Sequence, residues 1–167
     1  MAANTAIYTG ADGSLTLSVP QGKEGDTAQA LVIGPYDLIN VGRVQDVHIQ
    51  VHSEIHVFNE LGRRYPTQLR AGNISITGTI GRAYINGALL KLLLGDASSA
   101  PPAGGFLQPA FNMTLLLENA AAPGVRSSAT LHDVKIENWS YDLPQDDVVR
   151  EHVDFHALFI DVGDEPQ

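Results

Sequence analysis

Residues 43–58 read RVQDVHIQVHSEIHVF, and apolar and polar side chains alternate along most of this stretch. Valine and isoleucine take nearly all odd positions from Val47 to Val57, whereas Asp, His, Gln and Glu take the even positions from Asp46 to His56. β-Branched residues in a period of two predict a β-strand with one apolar and one polar face. At about 3.3 Å per residue, residues 44–58 span roughly 45–50 Å, far more than a usual strand of five or six residues. A strand this long needs many paired neighbours.

Shorter alternating segments predict the other strands of a sheet. They are Ser14–Val19, Gly72–Ile80, Phe111–Glu118, Thr130–Trp139 and Val148–Ile160, with a further short strand at Ala28–Ile33. Residues 21–27 (QGKEGDT) are rich in glycine and charge and predict a loop. Hairpin-length connections between the strands favour an antiparallel sandwich or barrel.

One segment changes period and predicts the single helix of the chain. Residues 84–94 (YINGALLKLLL) contain leucine, alanine and lysine in place of β-branched residues, with Asn86 suited to cap the start and Gly95 suited to end it. Its broad apolar face predicts packing against the sheet. The fold class is therefore mainly β, an antiparallel sandwich or barrel with one flanking helix.

Length and composition indicate one acidic domain. The chain has 167 residues, and nineteen Asp and Glu against ten Lys and Arg give a formal charge of −9. We expect a single domain over residues 1–167, with flexible arms at 1–12 and 161–167. An acidic chain is poorly suited to hold nucleic acid, because that affinity comes from cations that neutralise phosphates.

Other totals exclude several kinds of chemistry. There is no cysteine, which excludes disulfides, thiolate nucleophiles and cysteine metal sites. The N-terminal residues MAANTAIYTG predict no signal peptide, and no apolar run has the length of a membrane span. The charged share of 17%, below the roughly 25% of an average domain, favours a surface covered by copies of the same chain.

The histidines suggest a metal site that strand geometry argues against. His48, His52 and His56 are four residues apart, as are His152 and His156. On a strand, residues four apart lie about 13 Å apart, whereas zinc–nitrogen bonds are about 2.0–2.1 Å. Solvated strand-face histidines are therefore the preferred interpretation, and a site across strands, for example His52 with His152, stays an alternative. We predict no metal ligands and no cofactor.

Catalysis is not predicted either. The carboxylates of Asp46, Glu54 and Asp154 lie among the histidines, but acid–base pairs need a cross-strand geometry that spacing does not show. The chain contains no GxSxG, P-loop, GxGxxG or HExxH motif in a suitable context. We therefore expect no enzyme and assign no catalytic residue.

The only local basic cluster lies between two predicted strands. Residues 59–71 (NELGRRYPTQLRA) have no useful periodicity and carry Arg63, Arg64 and Arg70. We interpret them as a long projecting loop, either solvated or in contact with acids of another subunit. The candidate partners are Asp146 and Asp147, or the tail acids Asp161, Asp164 and Glu165.

The order of these segments resembles the tail tube proteins of long-tailed bacteriophages and related contractile injection systems. The matching features, over about residues 40–160, are the long strand ending at Glu54–Arg63, the glycine-flanked strand Gly72–Gly81, the NGALL helix start at Asn86–Leu90, the Pro109–Leu117 strand, and the final pair Val134–Ser140 and Val148–Ala157.

This resemblance implies a structural subunit of a phage tail tube. Its hexameric rings would stack into a hollow conduit, and two hairpins per subunit would join those of neighbours in one inner β-barrel with the helix outside. The implied partners are other copies, then sheath, terminator, baseplate hub and tape measure, in a virion tail assembled in the host cytoplasm, with no membrane. The alternatives are another ring component (a tail terminator or an injection-system inner tube), or a metal- or ligand-binding β-barrel.

The resemblance also gives the polar strand faces a role. Six copies of a chain with formal charge −9 carry −54, and a wall of that sign would let DNA pass without specific binding. The side chains expected to face the bore are His48, Gln50, His52, Glu54, Asn73, Ser75, Thr77, His152, Asp154 and His156.

Overall fold

The computed structural model describes residues 7–36, 40–121 and 124–165, which form seven strands and two helices. The strands are β1 (Gly13–Ser18), β2 (Val44–Phe58), β3 (Gln68–Ala83), β4 (Phe111–Glu118), β5 (Arg126–Asp142), β6 (Arg150–Ala157) and β7 (Phe159–Glu165). The helices are α1 (Lys23–Ala28), continued by a π-helical turn at Gln29–Ile33, and α2 (Ala88–Leu94), followed by a 3₁₀ turn at Gly95–Ser98. Neither helix has the length or the apolar run needed to span a bilayer.

All strand pairs are antiparallel, in the order β1-β4-β5-β6-β3-β2, and β7 pairs with β5. The first half of β5 lies between β4 and β7, whereas residues 135–142 pair with β6. Two bulges, at Asp133 and Glu137, separate the halves, and Asp133 has a φ of 51°. Bulges bend a strand and increase its twist, so the sheet curls into a half-barrel. The predicted antiparallel, mainly β class is confirmed.

The core lies on one side of the curled sheet, under the helices. Leu89 and Leu92 of α2 and Val32 of the π-helical turn share one buried cluster with strand residues such as Phe111 and Phe155. The Asn86 side chain accepts a hydrogen bond from the Ala88 N–H at 3.1 Å, although Gly87 and not Asn86 occupies the N-cap position of α2.

The predicted loop at residues 21–27 and strand at Ala28–Ile33 are wrong, since this segment forms α1 and the π-helical turn. The buried residues Gly25, Ala28, Val32 and Ile33 are three, four and one apart, which is a helical period. Gly25 is needed for packing: a Cβ there would lie 2.0 Å from the Pro20 carbonyl oxygen. The sheet therefore carries two helices, not one.

Parts of the two predicted arms belong to regular structure. Residues 161–165 belong to β7, which pairs with residues 126–130 of β5, and the Ser127 hydroxyl donates to Asp164 Oδ1 at 2.6 Å. Near the other end, Gly10–Asp12 form a 3₁₀ turn, and the Thr9 N–H donates to Asp12 Oδ2 at 2.7 Å. Residues 1–6 and 166–167 of the predicted arms lie outside the described residues.

A buried ion pair ties three strands together. Arg82 of β3 and Glu151 of β6 are each 1% exposed, and Arg82 Nε donates to Glu151 Oε1. The Trp139 indole N–H of β5 donates to the other carboxylate oxygen at 2.8 Å. Burial of a charge is tolerated only when such partners satisfy it.

Replacing Glu151 with alanine is expected to lower the free energy of unfolding of the dispersed subunit by about 3–5 kcal/mol, because the Arg82 guanidinium is left buried without its partner. Denaturant titration at low protein concentration measures this change. Glu137→Ala is the matched control, because its pair with His156 is exposed and such pairs contribute about 1 kcal/mol or less. Equal losses in the two variants would contradict the expectation.

Candidate assembly surfaces

The β2–β3 hairpin extends well beyond the rest of the sheet. Pairing between β3 and β6 ends at Ile76 and Ala157, whereas β2 and β3 stay paired as far as Phe58 and Gln68. Residues 51–75, which we call the arm, therefore contain two strands without a third, about 25 Å long. Because an isolated two-stranded hairpin is marginally stable in water, the arm needs a partner.

The arm exposes apolar side chains on one face. Outside the arm, the same face of β2 and β3 packs against the core. Val57 is directly opposite Leu69, and Ser53 is opposite Ile74, so these residues share one face. A bulge in β3 at Gly72–Asn73 changes the phase of alternation and keeps Leu69 on this face. The apolar arm face consists of Val51, Ile55, Val57, Leu69 and Ile74, which are 51–67% exposed. Contiguous exposed apolar surface of this kind marks interaction sites.

Two of the unpaired strand edges in the described part of the chain belong to β2 and to the second half of β5. β2 is the last strand of the sheet order, and residues 135–142 of β5 pair with β6 on one side only. These two edges bound a four-stranded layer made of β2, β3, β6 and the second half of β5. Free strand edges are templates for pairing with another chain.

The opposite face of this four-stranded layer is polar. His48 lies opposite Thr79, which lies opposite Asp154, and Gln50 lies opposite Thr77, which lies opposite His156. His52 opposite Ser75 and His152 opposite Gly81 continue the same face, while Glu54 and Asn73 lie at the bulge. The structure thus brings the ten predicted bore residues together on one exposed or half-buried surface. Their orientation toward a bore stays a prediction.

The histidines of the polar face are spread along the sheet. His52 and His152 are matched to Ser75 and Gly81 of β3, six residues or about 20 Å apart along that strand, so the cross-strand pair considered above is not brought together. In the described residues, no group of three or more His, Cys, Asp or Glu side chains has metal-binding geometry. Instead, His156 Nε2 lies 2.6 Å from Glu137 Oε2.

The predicted basic and acidic loop residues lie at opposite ends of the layer. Arg63 and Arg64 lie in the connection at the tip of the arm, whereas Asp146 and Asp147 lie in the β5–β6 connection. β3 runs from Gln68 at the tip to Ala83, which pairs with Arg150 beside the acidic connection, a distance of roughly 50 Å. The two loops therefore cannot meet within one subunit.

The local pairing of these charges differs. Arg63 lies 3.7 Å from Glu60, and Asp147 accepts from the Val148 N–H and lies 3.5 Å from Arg150. Arg64 and Asp146 have no ion-pair partner among the described residues. Arg70 was predicted in the loop, but it lies in β3 opposite His56, on the polar face.

Solved tail tube and tube terminator proteins share this fold. The tube terminating cap of the anti-feeding prophage has a TM-score of 0.65 at 9% identity, covering 98% of this chain and 95% of that chain. The SPP1 tail tube has a TM-score of 0.57 at 10% identity, covering 96% and 81%. A chain of the anti-feeding prophage baseplate, 6-fold symmetrised, has a TM-score of 0.56 at 12% identity, covering 97% of each chain. The sequence matches no protein-family model and no curated protein.

Proposed function

We propose that this chain is the structural subunit of a tail tube, in which six-copy rings stack into a hollow conduit for genome passage. The observation that carries the proposal is the pair of free edges on the four-stranded layer. The β2 edge of one copy pairs with residues 135–142 of the next copy. This contact is head-to-tail, and such contacts close into a ring when the rotation between copies permits.

Six copies of a four-stranded layer make a continuous barrel of about 24 strands. Barrels of about 16–18 strands already leave an aqueous channel, so this wall encloses a wide bore. Six-fold symmetry is taken from the baseplate chain that shares the fold. Ring closure also pairs the two edges of the four-stranded layer that a monomer leaves open to aggregation.

The apolar arm face and the polar face then have distinct tasks. The neighbouring copies cover the apolar arm face, which leaves water when the ring closes. The polar face lines the bore, and its ten predicted residues contact water and the passing DNA without specific binding. The chain carries out no reaction in this role; its other partners are the sheath, terminator, baseplate hub and tape measure of a virion tail.

A second candidate is a terminating ring at the end of a tube. It is favoured by the TM-score of 0.65 to the anti-feeding prophage cap, against 0.57 for the SPP1 tail tube. A terminator exposes one ring surface that no further copy of itself occupies. It therefore forms single rings where a tube subunit forms filaments.

Electron microscopy of the concentrated, purified chain separates these candidates. We expect hollow tubes with six-fold end views, and a mass that grows with concentration in sedimentation. Single rings at every concentration would favour the terminator. A dispersed monomer at all concentrations and salt conditions would overturn the proposal.

A further inference from the structure

We propose that the polar face binds nucleic acid in a histidine-controlled manner: it repels the phosphate backbone while its histidines are neutral and holds it once they are protonated. The inference rests on the proposed function for the position of this face in the bore. The charge change itself takes place within a single subunit and does not require assembly. It can therefore be measured with or without a tube.

Five of the six histidines in the chain are concentrated on this one face. His48, His52 and His56 follow β2, and His152 and His156 follow β6, and all five are exposed. Histidine is the side-chain type whose charge ordinarily changes between pH 8 and pH 5. Protonation of all five would therefore add five positive charges to one surface of each subunit.

The other charges on the face decide the sign of the result. Two ion pairs at its margins, Lys135 with Glu24 and Arg150 with Asp147, are formally neutral. The remaining charged side chains on the face are Arg70 and the six carboxylates Asp46, Glu54, Asp133, Glu137, Asp142 and Asp154. One cation against six acids gives a formal charge of −5 with neutral histidines, and five protons bring the face to zero.

The change is larger on the three strands that carry the histidines. β2, β3 and β6 contribute Asp46, Glu54 and Asp154 against Arg70, so their shared surface goes from −2 to +3 when the histidines are protonated. The carboxylates of β5 remain one strand away. Protonation therefore makes the polar surface of β2, β3 and β6 positive, and we call this surface the positive stripe. The polar surface of β5 beside it stays negative.

The spacing of this stripe selects the class of ligand. Successive histidines on one strand are about 13 Å apart, too far to enclose one small anion or metal ion. A polyanion contacts many such charges at once, and it gains affinity by releasing counterions from each neutralised phosphate. The stripe therefore suits nucleic acid better than free phosphate.

The test is co-sedimentation of fluorescent duplex DNA fragments with assembled tubes at pH 8.0 and pH 5.8 in low salt. We expect the retained DNA to rise on the order of ten-fold at the lower pH and to fall again when salt is raised, as phosphate contacts require. A variant with all five face histidines changed to glutamine should lose this rise. His132→Gln is the matched control, since His132 lies in the first half of β5 against Phe159.

Equal DNA retention at the two pH values, or an unchanged rise in the five-fold variant, would overturn the inference. Circular dichroism of each variant confirms that the sheet is intact. If no tubes form, the same DNA titration on surface-immobilised subunits replaces co-sedimentation. In that case the proposed function fails, while the pH dependence still decides the inference.

Discussion

A subunit that carries Ile55→Asp and Leu69→Asp is expected to stay folded but to remain dispersed at concentrations where the unaltered chain forms rings and tubes. Both side chains lie on the apolar arm face, 57% and 66% exposed, outside the buried core. The substitutions therefore remove little from the fold of one chain. In the ring, each new carboxylate would be buried without a partner, which costs several kcal/mol or a shift to the neutral form.

Sedimentation velocity and electron microscopy measure the loss of assembly, and circular dichroism measures the retained strand content. The matched control is His52→Asp with Gln68→Asp, which adds the same charge to the same arm on its polar face. This control should still assemble. Tubes formed by the variant with Ile55→Asp and Leu69→Asp would show that neighbouring copies do not cover the apolar arm face. Loss of assembly in both variants would show that added negative charge anywhere on the arm prevents assembly.

The polar face could be predicted from sequence because strand alternation is a local property. Val47 and His48 must point to opposite sides of β2, whichever strands lie beside it. The exposure of the apolar arm face could not be predicted in the same way. The arm is exposed because β6 ends at Ala157 and does not continue beside it. The sequence of β2 carries no information about where β6 ends.

The start of β3 is not evident from the sequence for a related reason. Residues 68–71 (QLRA) alternate, but the bulge at Gly72–Asn73 puts them out of phase with the isoleucines that follow. A bulge changes the face on which every later residue lies. Residues 59–71 therefore show no single period in sequence, which places Arg70 in the predicted loop.

Other differences arise from contacts between distant segments. In sequence, nothing distinguishes Arg82 and Glu151 from other charged residues of strands. Only the register between β3 and β6 places them opposite each other as a buried pair. The acidic composition of residues 161–165 predicts disorder, yet these residues pair with the first half of β5. In α1, glycine suggested a loop, whereas Gly25 permits close contact with Pro20.

Reversing one charge at either end of the four-stranded layer is expected to shorten or abolish tubes while leaving rings intact, and reversing both is expected to restore them. Arg64 at the arm tip and Asp146 at the far end have no ion-pair partner in the described part of their own chain, and their loops are roughly 50 Å apart. In stacked rings, the arm tip of one ring can meet the acidic loop of the next. An exposed pair contributes about 0.2–1 kcal/mol, so six pairs per junction supply roughly 1–6 kcal/mol, or about 10–10⁴ in the stacking constant.

Tube length distributions from electron micrographs measure this effect for Arg64→Glu, for Asp146→Arg and for the double variant. Each single variant places like charges against each other at every junction, whereas the double variant has opposite charges again, in reversed positions. Arg64→Lys is the control, because it keeps the charge and should keep the tubes. A double variant as short as the two single variants would show that these loops do not meet, and ring stacking would then have to rest on uncharged contacts at the same two ends.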